Sequence, residues 1–354
     1  SGLKEVWKET KVLKKLKVLD LRSCHNLTKT PDFRGLCCLE ELYLNHCTSL
    51  VEIDQSIGNL DRLVFLDFGD CKNLRILPRT ICELKSLKNL TLLGCLKLDK
   101  LPEDLGKMEQ LTVLLAYETA IKQLPISINH LKNLRQLSLS RYDGTISTIS
   151  FRSLFLSLFS PKKPPDSISL LPASLSGLCS LTTLSLPNCE LSDDALPHDL
   201  GSLPSLQTLD LGRNNFHCLP ASISRLSKLQ NLQLSDCTML ESIPDLPANL
   251  IGLIASNCTS LERISNVSNV RTYSYMLLSG CSKLVEIGGL DKLESTEDIR
   301  IEWHTNFANS SEKTSSLKDM IQFLMWRNLA ITPMEWFIEI KAHKSGSNTH
   351  GVAH

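Results

Sequence analysis

The stretch Leu39-Glu-Glu-Leu-Tyr-Leu-Asn-His-Cys-Thr-Ser-Leu50 carries a pattern of leucines and one cysteine that returns along most of the chain. The clearest copies start at Leu16, Leu39, Leu63 and Leu87. Variants start at Leu111, Leu134, Leu181, Leu206, Leu229, Leu250 and Tyr273. Successive starts are 21 to 25 residues apart, except for one interval of 47 residues. Such a period is typical of a solenoid, in which each unit buries its apolar face only against its neighbours.

Each copy combines a short strand with a return segment. The core x-Leu-x-Leu-x has the period of two of a β-strand, so its leucines point inward and the alternate residues point outward. Return segments such as Pro78–Leu84, Pro102–Met108 and Pro220–Leu226 start with proline, which fixes φ and suits a turn or short helix. The sequence therefore predicts an α/β leucine-rich-repeat solenoid of horseshoe shape. Its concave side would be a parallel β-sheet, and its convex side would hold short helices or turns.

The repeat also divides the chain. Residues 1–15 are predicted to be the convex remnant of a preceding repeat, and residues 16–290 to form about 11 leucine-rich repeats. After residue 290 the pattern fades. Residues 291–354 are therefore expected to be a non-repeat C-terminal tail or the start of a post-repeat domain.

The 47-residue interval between Leu134 and Leu181 contains an ordinary strand and about one extra repeat length. The surplus predicts an inserted loop at 143–170, because the segment that starts at Pro172 again matches the normal convex pattern. The loop carries three phenylalanines, Phe151, Phe155 and Phe159. Two interpretations stay open: they pack on the flank of the solenoid, or they contact a partner.

Eight of the 13 cysteines occupy the same repeat position, which we call the ladder position. They are Cys24, Cys47, Cys71, Cys95, Cys189, Cys237, Cys258 and Cys281, and Asn214 occupies the position once. The backbone turns inward there, so a small side chain that can form hydrogen bonds is favoured. We expect a buried structural ladder without disulfide bonds, and hence a reducing compartment.

Charge and motifs argue against several functions. Lys+Arg and Asp+Glu are both 38, so the chain lacks the basic excess of a nucleic-acid-binding protein. No apolar run reaches the roughly 18–20 residues that span a bilayer. The sequence contains no phosphate-binding loop, no nucleophile-elbow motif and no zinc-ligand spacing. We therefore expect no catalytic site, no metal and no cofactor, and neither nucleic acid nor a membrane as a partner.

Several phrases resemble the repeat region of TIR-type nucleotide-binding plant disease-resistance proteins. They are Val6–Leu21, Asn26–Phe33, Leu39–Leu50, Ser56–Leu60, Leu211–Phe216 and Ile243–Leu250. The resemblance covers roughly residues 3–290. It implies a full-length parent with a TIR domain that cleaves NAD and a switch domain that exchanges ADP for ATP, both outside this chain. It also implies a cytoplasmic location, or one in both cytoplasm and nucleus.

The function that this resemblance implies is recognition and autoinhibition in an intracellular plant immune receptor. Such a region binds a pathogen effector or a guarded host protein and controls the nucleotide-binding switch of its parent. The alternative is a leucine-rich-repeat scaffold that binds other proteins outside immunity. An upstream nucleotide-binding domain in the parent gene would favour the first.

Outward residues of successive strands are predicted to form columns across the concave face, where a partner protein would bind. The candidate contact residues are Asp20, Arg22, Tyr43, Asn45, Phe65, Asp67, Asp70, Leu93, Val113, Leu115 and Tyr117. Several are apolar or aromatic and lie beside charged residues, as in the hot spots of protein interfaces. The alternative is that these apolar side chains only pack against one another across neighbouring strands.

Overall fold

The structure is a computed structural model that describes residues 2–7, 9–142, 169–268, 270, 275–289, 300–303, 329–334 and 337–342. Most of the predicted insert at 143–170, with Phe151, Phe155 and Phe159, lies outside the described residues, as does most of 291–354. The chain forms two compact units, Ser1–Leu206 and Gln207–His354.

The first unit contains seven strands that pair in parallel and in chain order. They are β1 (Val18–Asp20), β2 (Glu41–Tyr43), β3 (Phe65–Asp67), β4 (Asn89–Thr91), β5 (Val113–Thr119), β6 (Gln136–Arg141) and β7 (Thr183–Ser185). Each strand starts two residues after a predicted repeat start. The central leucine of each strand pairs with that of the next, for example Leu42 with Leu66. Both of these leucines are fully buried, so the period-two pattern sets which side faces the core.

The return segments of the first unit form short 3-10 helices. They are Gln55–Asn59, Arg79–Glu83, Leu105–Lys107, Ile126–His130, Asp193–Ala195 and Leu200–Ser202. Pro78 and Pro125 precede two of them in extended conformation, with φ of −65° at both. Ile81 and Ile128, inside these two helices, are fully buried and anchor the return segment to the core. None of the helices in the described ranges has the length and apolar character needed to cross a membrane.

The ladder cysteines are buried and connect successive repeats. The Sγ atom of Cys47 donates to the carbonyl oxygen of Leu21 at 3.1 Å, and that of Cys71 donates to Leu44 at 3.2 Å. In the second unit, the Sγ atom of Cys281 donates to Ala255 at 3.0 Å. All 13 cysteines are free thiols. Each of these thiols therefore satisfies a carbonyl group of the repeat before it.

The residue before the ladder position turns the chain away from the strand. In ten repeats it has a left-handed backbone: Ser23, His46, Asp70, Gly94, Glu118, Asn188, Arg213, Asp236, Asn257 and Gly280, with φ from 53° to 80°. Asn, Asp and Gly adopt this conformation more readily than other residues do. Thr119 and Tyr142 take the ladder position in the fifth and sixth repeats, and β5 and β6 are longer there than the other strands of the unit.

The second unit repeats the arrangement with β8 (Thr208–Asp210), β9 (Asn231–Gln233), β11 (Gly252–Ile254), β13 (Tyr275–Leu277) and β15 (Arg300–Trp303). These five strands pair in parallel in that order. The strands β16 (Leu329–Met334) and β17 (Phe337–Ala342) form an antiparallel pair next to β15. Return segments form a second parallel sheet from β10 (Ser242–Ile243), β12 (Arg263–Ile264) and β14 (Glu286–Ile287). These parallel repeats confirm the predicted leucine-rich-repeat fold.

Candidate partner-binding face

The parallel register places the predicted contact residues of the first unit in columns on one side of the sheet. Phe65 and Val113 lie in the first outward column, and Asp20, Tyr43, Asp67 and Leu115 lie in the second. Arg22, Asn45, Leu93 and Tyr117 follow two residues later and form a third column. Asp70 has the left-handed conformation at the end of its repeat's turn. We call this side of β1–β7 the outward face.

Four residues in or just after β1–β3 make a continuous set of contacts, which we call the aromatic cluster: Asp20, Arg22, Tyr43 and Phe65. The Nε and Nη2 atoms of Arg22 donate to the carboxylate of Asp20 at 3.0 Å and 2.6 Å. The guanidinium carbon of Arg22 lies 5.2 Å from the centre of the Tyr43 ring. The ring centres of Tyr43 and Phe65 are 5.1 Å apart, with 39° between the ring planes. These are the distances of cation–π and aromatic pair contacts.

Hydrogen bonds fix the polar groups of this cluster. The bond from Arg22 lowers the pKa of Asp20, so this carboxylate stays charged. The hydroxyl group of Tyr43 donates to Oε2 of Glu41 at 2.8 Å, and this bond raises the pKa of Tyr43. Tyr43 is therefore held at both its ring and its hydroxyl group.

Asp67 is in a different environment from Asp20. Burial raises its pKa, although the backbone N–H of Gly69 donates to its Oδ1 at 2.8 Å. The charges of His46 and Arg22 act in the opposite direction, and the charge of Asp70 adds to the increase. Asp67 is thus a partly desolvated carboxylate beside the aromatic cluster, where a further positive charge would be favourable.

The remaining apolar candidates do not all join the cluster. Leu93 is 41% exposed, and Val113 and Leu115 are partly exposed on the neighbouring strand. The hydroxyl group of Tyr117 instead donates to Oγ of Ser185 at 2.8 Å. The structure therefore brings Tyr43 and Phe65 together with Arg22, while Tyr117 is held toward β7.

Asn45 and Asp70 lie where the chain leaves β2 and β3. The Oδ2 atom of Asp70 is 3.3 Å from Nδ1 of His46, which has the left-handed position in the preceding repeat. Gly69 lies between Asn45 and Leu93, and a Cβ at Gly69 would be 3.5 Å from the Cβ of Asn45. Because Gly69 has no side chain, the surface of the third column is recessed between Asn45 and Leu93.

Val18 and Glu41, in the first outward column beside the aromatic cluster, are not among the predicted contact residues. Val18 is 47% exposed, and Glu41 accepts the hydrogen bond from Tyr43. The period-two pattern that predicts Phe65 on this face applies equally to both residues. Within the described residues, no group of three or more His, Cys, Asp or Glu side chains is arranged to hold a metal ion.

Comparisons with known proteins agree with this fold. The sequence model of the Leucine Rich Repeat family matches residues 205–226. The chain is 35% identical over 320 residues to TMV resistance protein N from Nicotiana glutinosa, covering 71% of the chain and 26% of that protein. It is 35% identical over 249 residues to disease resistance-like protein DSC1 from Arabidopsis thaliana, covering 69% and 19%. It is also 30% identical over 287 residues to disease resistance protein RML1A from Arabidopsis thaliana, covering 81% and 23%.

The chain thus spans about a quarter or less of the length of these curated relatives. Among solved structures, the leucine-rich repeat domain of the type III effector XopL matches with a TM-score of 0.48 and 22% identity. That match covers 64% of this chain and 73% of the other.

Proposed function

Because this chain is a leucine-rich-repeat protein related to plant disease resistance proteins, we propose that it is the recognition and autoinhibitory region of an intracellular immune receptor. It binds a pathogen effector or a guarded host protein, and it keeps the nucleotide-binding switch of its parent inactive until then. It acts in the cytoplasm, or in both cytoplasm and nucleus.

The aromatic cluster is the observation that carries the recognition part of this proposal. Tyr43 and Phe65 present partly exposed rings on a sheet of fixed register. Because the hydroxyl group of Tyr43 is bound to Glu41, its side chain loses little further freedom when a partner covers it. Aromatic and arginine side chains held in this way are the usual anchors of protein interfaces.

The repeat architecture supports the same conclusion. The inward leucines and ladder cysteines hold the fold, whereas outward residues such as Arg22 and Tyr43 contact other side chains on the sheet surface. The outward residues can therefore change without loss of the core, which suits a surface that must match varied partners.

Binding of purified pathogen effectors to the immobilised chain tests recognition. At least one effector that the immobilised wild-type chain binds should bind the variant Tyr43→Ala/Phe65→Ala at least about tenfold more weakly, as expected when an aromatic hot spot is lost. The matched control is Ile126→Ala, which removes an apolar side chain that is 75% exposed on the return side. Equal binding by wild type and the double variant would refute recognition through this cluster.

A hybrid receptor tests autoinhibition. In the hybrid, this chain replaces the matching part of TMV resistance protein N. The hybrid should be silent without an elicitor, and deletion of the chain from it should release continuous defence signalling. Silence of both proteins, or signalling by both, would contradict control of the switch by this chain.

A further inference from the structure

We propose that the partner contributes a basic segment, in which an arginine or lysine side chain lies along Tyr43 and Phe65 and ends at the carboxylates of Asp67 and Asp70. This inference rests on the proposed function, because it names the chemistry of the partner that the same face binds. The exposed apolar surface of β1–β4 and the charge of these strands both support it.

The apolar part of the surface flanks the aromatic cluster on both sides. Val18 on β1 is 47% exposed, and Leu93, which follows β4, is 41% exposed. Between them lie the rings of Tyr43 and Phe65. A partner segment that covered the surface from Val18 to Leu93 would remove the exposed apolar area of these side chains from water, which favours binding.

The charge of the same surface is negative although the whole chain is neutral. The outward columns and left-handed positions of β1–β4 hold four carboxylates and one arginine: Asp20, Glu41, Asp67, Asp70 and Arg22. Arg22 is already paired with Asp20 through a bidentate contact. In the part of the chain that the structure describes, Asp67, Asp70 and Glu41 have no lysine or arginine nitrogen within 4.0 Å.

Lys17 and His46 leave this excess in place. Lys17, which precedes β1, is paired with Glu40 at 2.9 Å. His46 approaches Asp70 at 3.3 Å and carries charge only when protonated. A cation from the partner would therefore meet acceptors that the chain itself does not neutralise, and its charge would offset the desolvation that raises the pKa of Asp67.

An arginine or lysine matches both halves of this surface. Its aliphatic stem packs on apolar and aromatic surface, and its charged end reaches the carboxylates. A guanidinium group also makes cation–π contacts with aromatic rings, as Arg22 does with Tyr43 at 5.2 Å. The acidic excess disfavours a nucleic acid, whose phosphates would be repelled here.

Selection of random peptides on the full chain tests this inference even before the natural partner is identified. Peptides recovered with wild type but not with Tyr43→Ala/Phe65→Ala should be enriched in arginine or lysine. A synthetic copy of the best peptide is then titrated by calorimetry. Asp67→Asn/Asp70→Asn should weaken its binding about tenfold, with most of the effect lost at high salt.

The control for loss of charge is Asp210→Asn/Asp236→Asn; unlike Asp70, Asp236 is paired with Arg213 at 3.3 Å. This double variant removes two charges at the same repeat positions in the second unit, where Asp210 also accepts from the backbone N–H of the glycine two residues later. This control should bind the peptide like wild type. Equal weakening by both double variants would mean a general charge effect and would overturn the proposed contact.

The remaining outcomes separate the two proposals. If cluster-dependent peptides carry no excess of arginine or lysine, the basic partner is refuted while recognition at the aromatic cluster stands. If no recovered peptide depends on Tyr43 and Phe65, recognition at this cluster fails as well.

Discussion

The hydroxyl group of Tyr117 donates a hydrogen bond to Oγ of Ser185, 68 residues further along the chain. Tyr117 lies on β5 and Ser185 on β7, so the bond reaches across β6. Ser138, the β6 residue that pairs with Ser185, is fully buried. This bond therefore ties together the strands on both sides of the 47-residue interval, and β6 and β7 keep the register of an uninterrupted repeat.

Removing that hydroxyl group should lower stability. Tyr117→Phe leaves the ring in place and deletes one hydrogen bond, so the free energy of unfolding should fall by about 1 kcal/mol. Urea unfolding followed by circular dichroism measures this change. Tyr142→Phe is the control, because Tyr142 is 43% exposed and its substitution should have almost no effect. Equal stability of Tyr117→Phe and wild type would show that the bond to Ser185 contributes nothing.

The ladder position should be sensitive to truncation. Cys71 is fully buried and donates to the carbonyl oxygen of Leu44. Cys71→Ala removes the donor and leaves a small cavity, so the free energy of unfolding should fall by about 2 kcal/mol. Cys37→Ala, at an exposed cysteine, should change it by less than about 0.5 kcal/mol. The same urea experiment checks both variants, and similar losses at the two positions would contradict the role of the ladder.

Burial also predicts a dependence of stability on pH. Burial raises the pKa of Cys47 from 9.0 to about 11, so the folded state keeps a proton that the unfolded state releases. The stability from this group is complete below pH 9.0 and is lost as the pH rises toward about 11. Between these two pH values, the free energy of unfolding of Cys47→Ala should fall by about 1.4 kcal/mol less per pH unit than that of wild type. Parallel curves for the two proteins would contradict the raised pKa of Cys47.

Arg22 should be important for binding and unimportant for stability. Its pair with Asp20 is exposed, so Arg22→Lys should change the free energy of unfolding by less than about 0.5 kcal/mol. Because lysine cannot reproduce both the bidentate contact with Asp20 and the contact of the planar guanidinium group with Tyr43, affinity for a cluster-dependent partner should fall several-fold. Calorimetry with that partner measures the loss.

Arg34→Lys is a close control for Arg22→Lys. Arg34 makes the same bidentate contact with Asp32, at 2.9 Å and 2.6 Å, in the segment between β1 and β2. It should not affect binding. Equal loss of affinity from both substitutions would indicate a general effect of the arginine-to-lysine change.

Much of the fold is predictable because it is encoded within each repeat. The alternation around Leu42 and Leu66 gives the strands, and the cysteines after them give the buried ladder position. The family resemblance is confirmed by relatives that are 30–35% identical. The longer β5 and β6 had a signal in the sequence, since Thr119 and Tyr142 replace cysteine there.

The contacts on the outward face are less predictable, because they depend on side-chain directions across several strands. The sequence predicts that Tyr43 and Tyr117 are both outward aromatic residues. In the structure, Tyr43 contacts Arg22 and Phe65, whereas Tyr117 forms a hydrogen bond with Ser185. The second contact depends on a small residue, Ser138, on the strand between them. No pattern within a single repeat contains that information.

Hydroxyl-radical footprinting of the chain, alone and with a retained effector, tests recognition at the aromatic cluster most directly. Oxidation of Tyr43 and Phe65, measured by mass spectrometry, should slow several-fold in the complex, because a bound partner covers both rings. Ile126, which is 75% exposed in the return segment Ile126–His130, should be oxidised at the same rate in both states. Unchanged oxidation of Tyr43 and Phe65 in a complex that protects other residues would contradict recognition at this cluster.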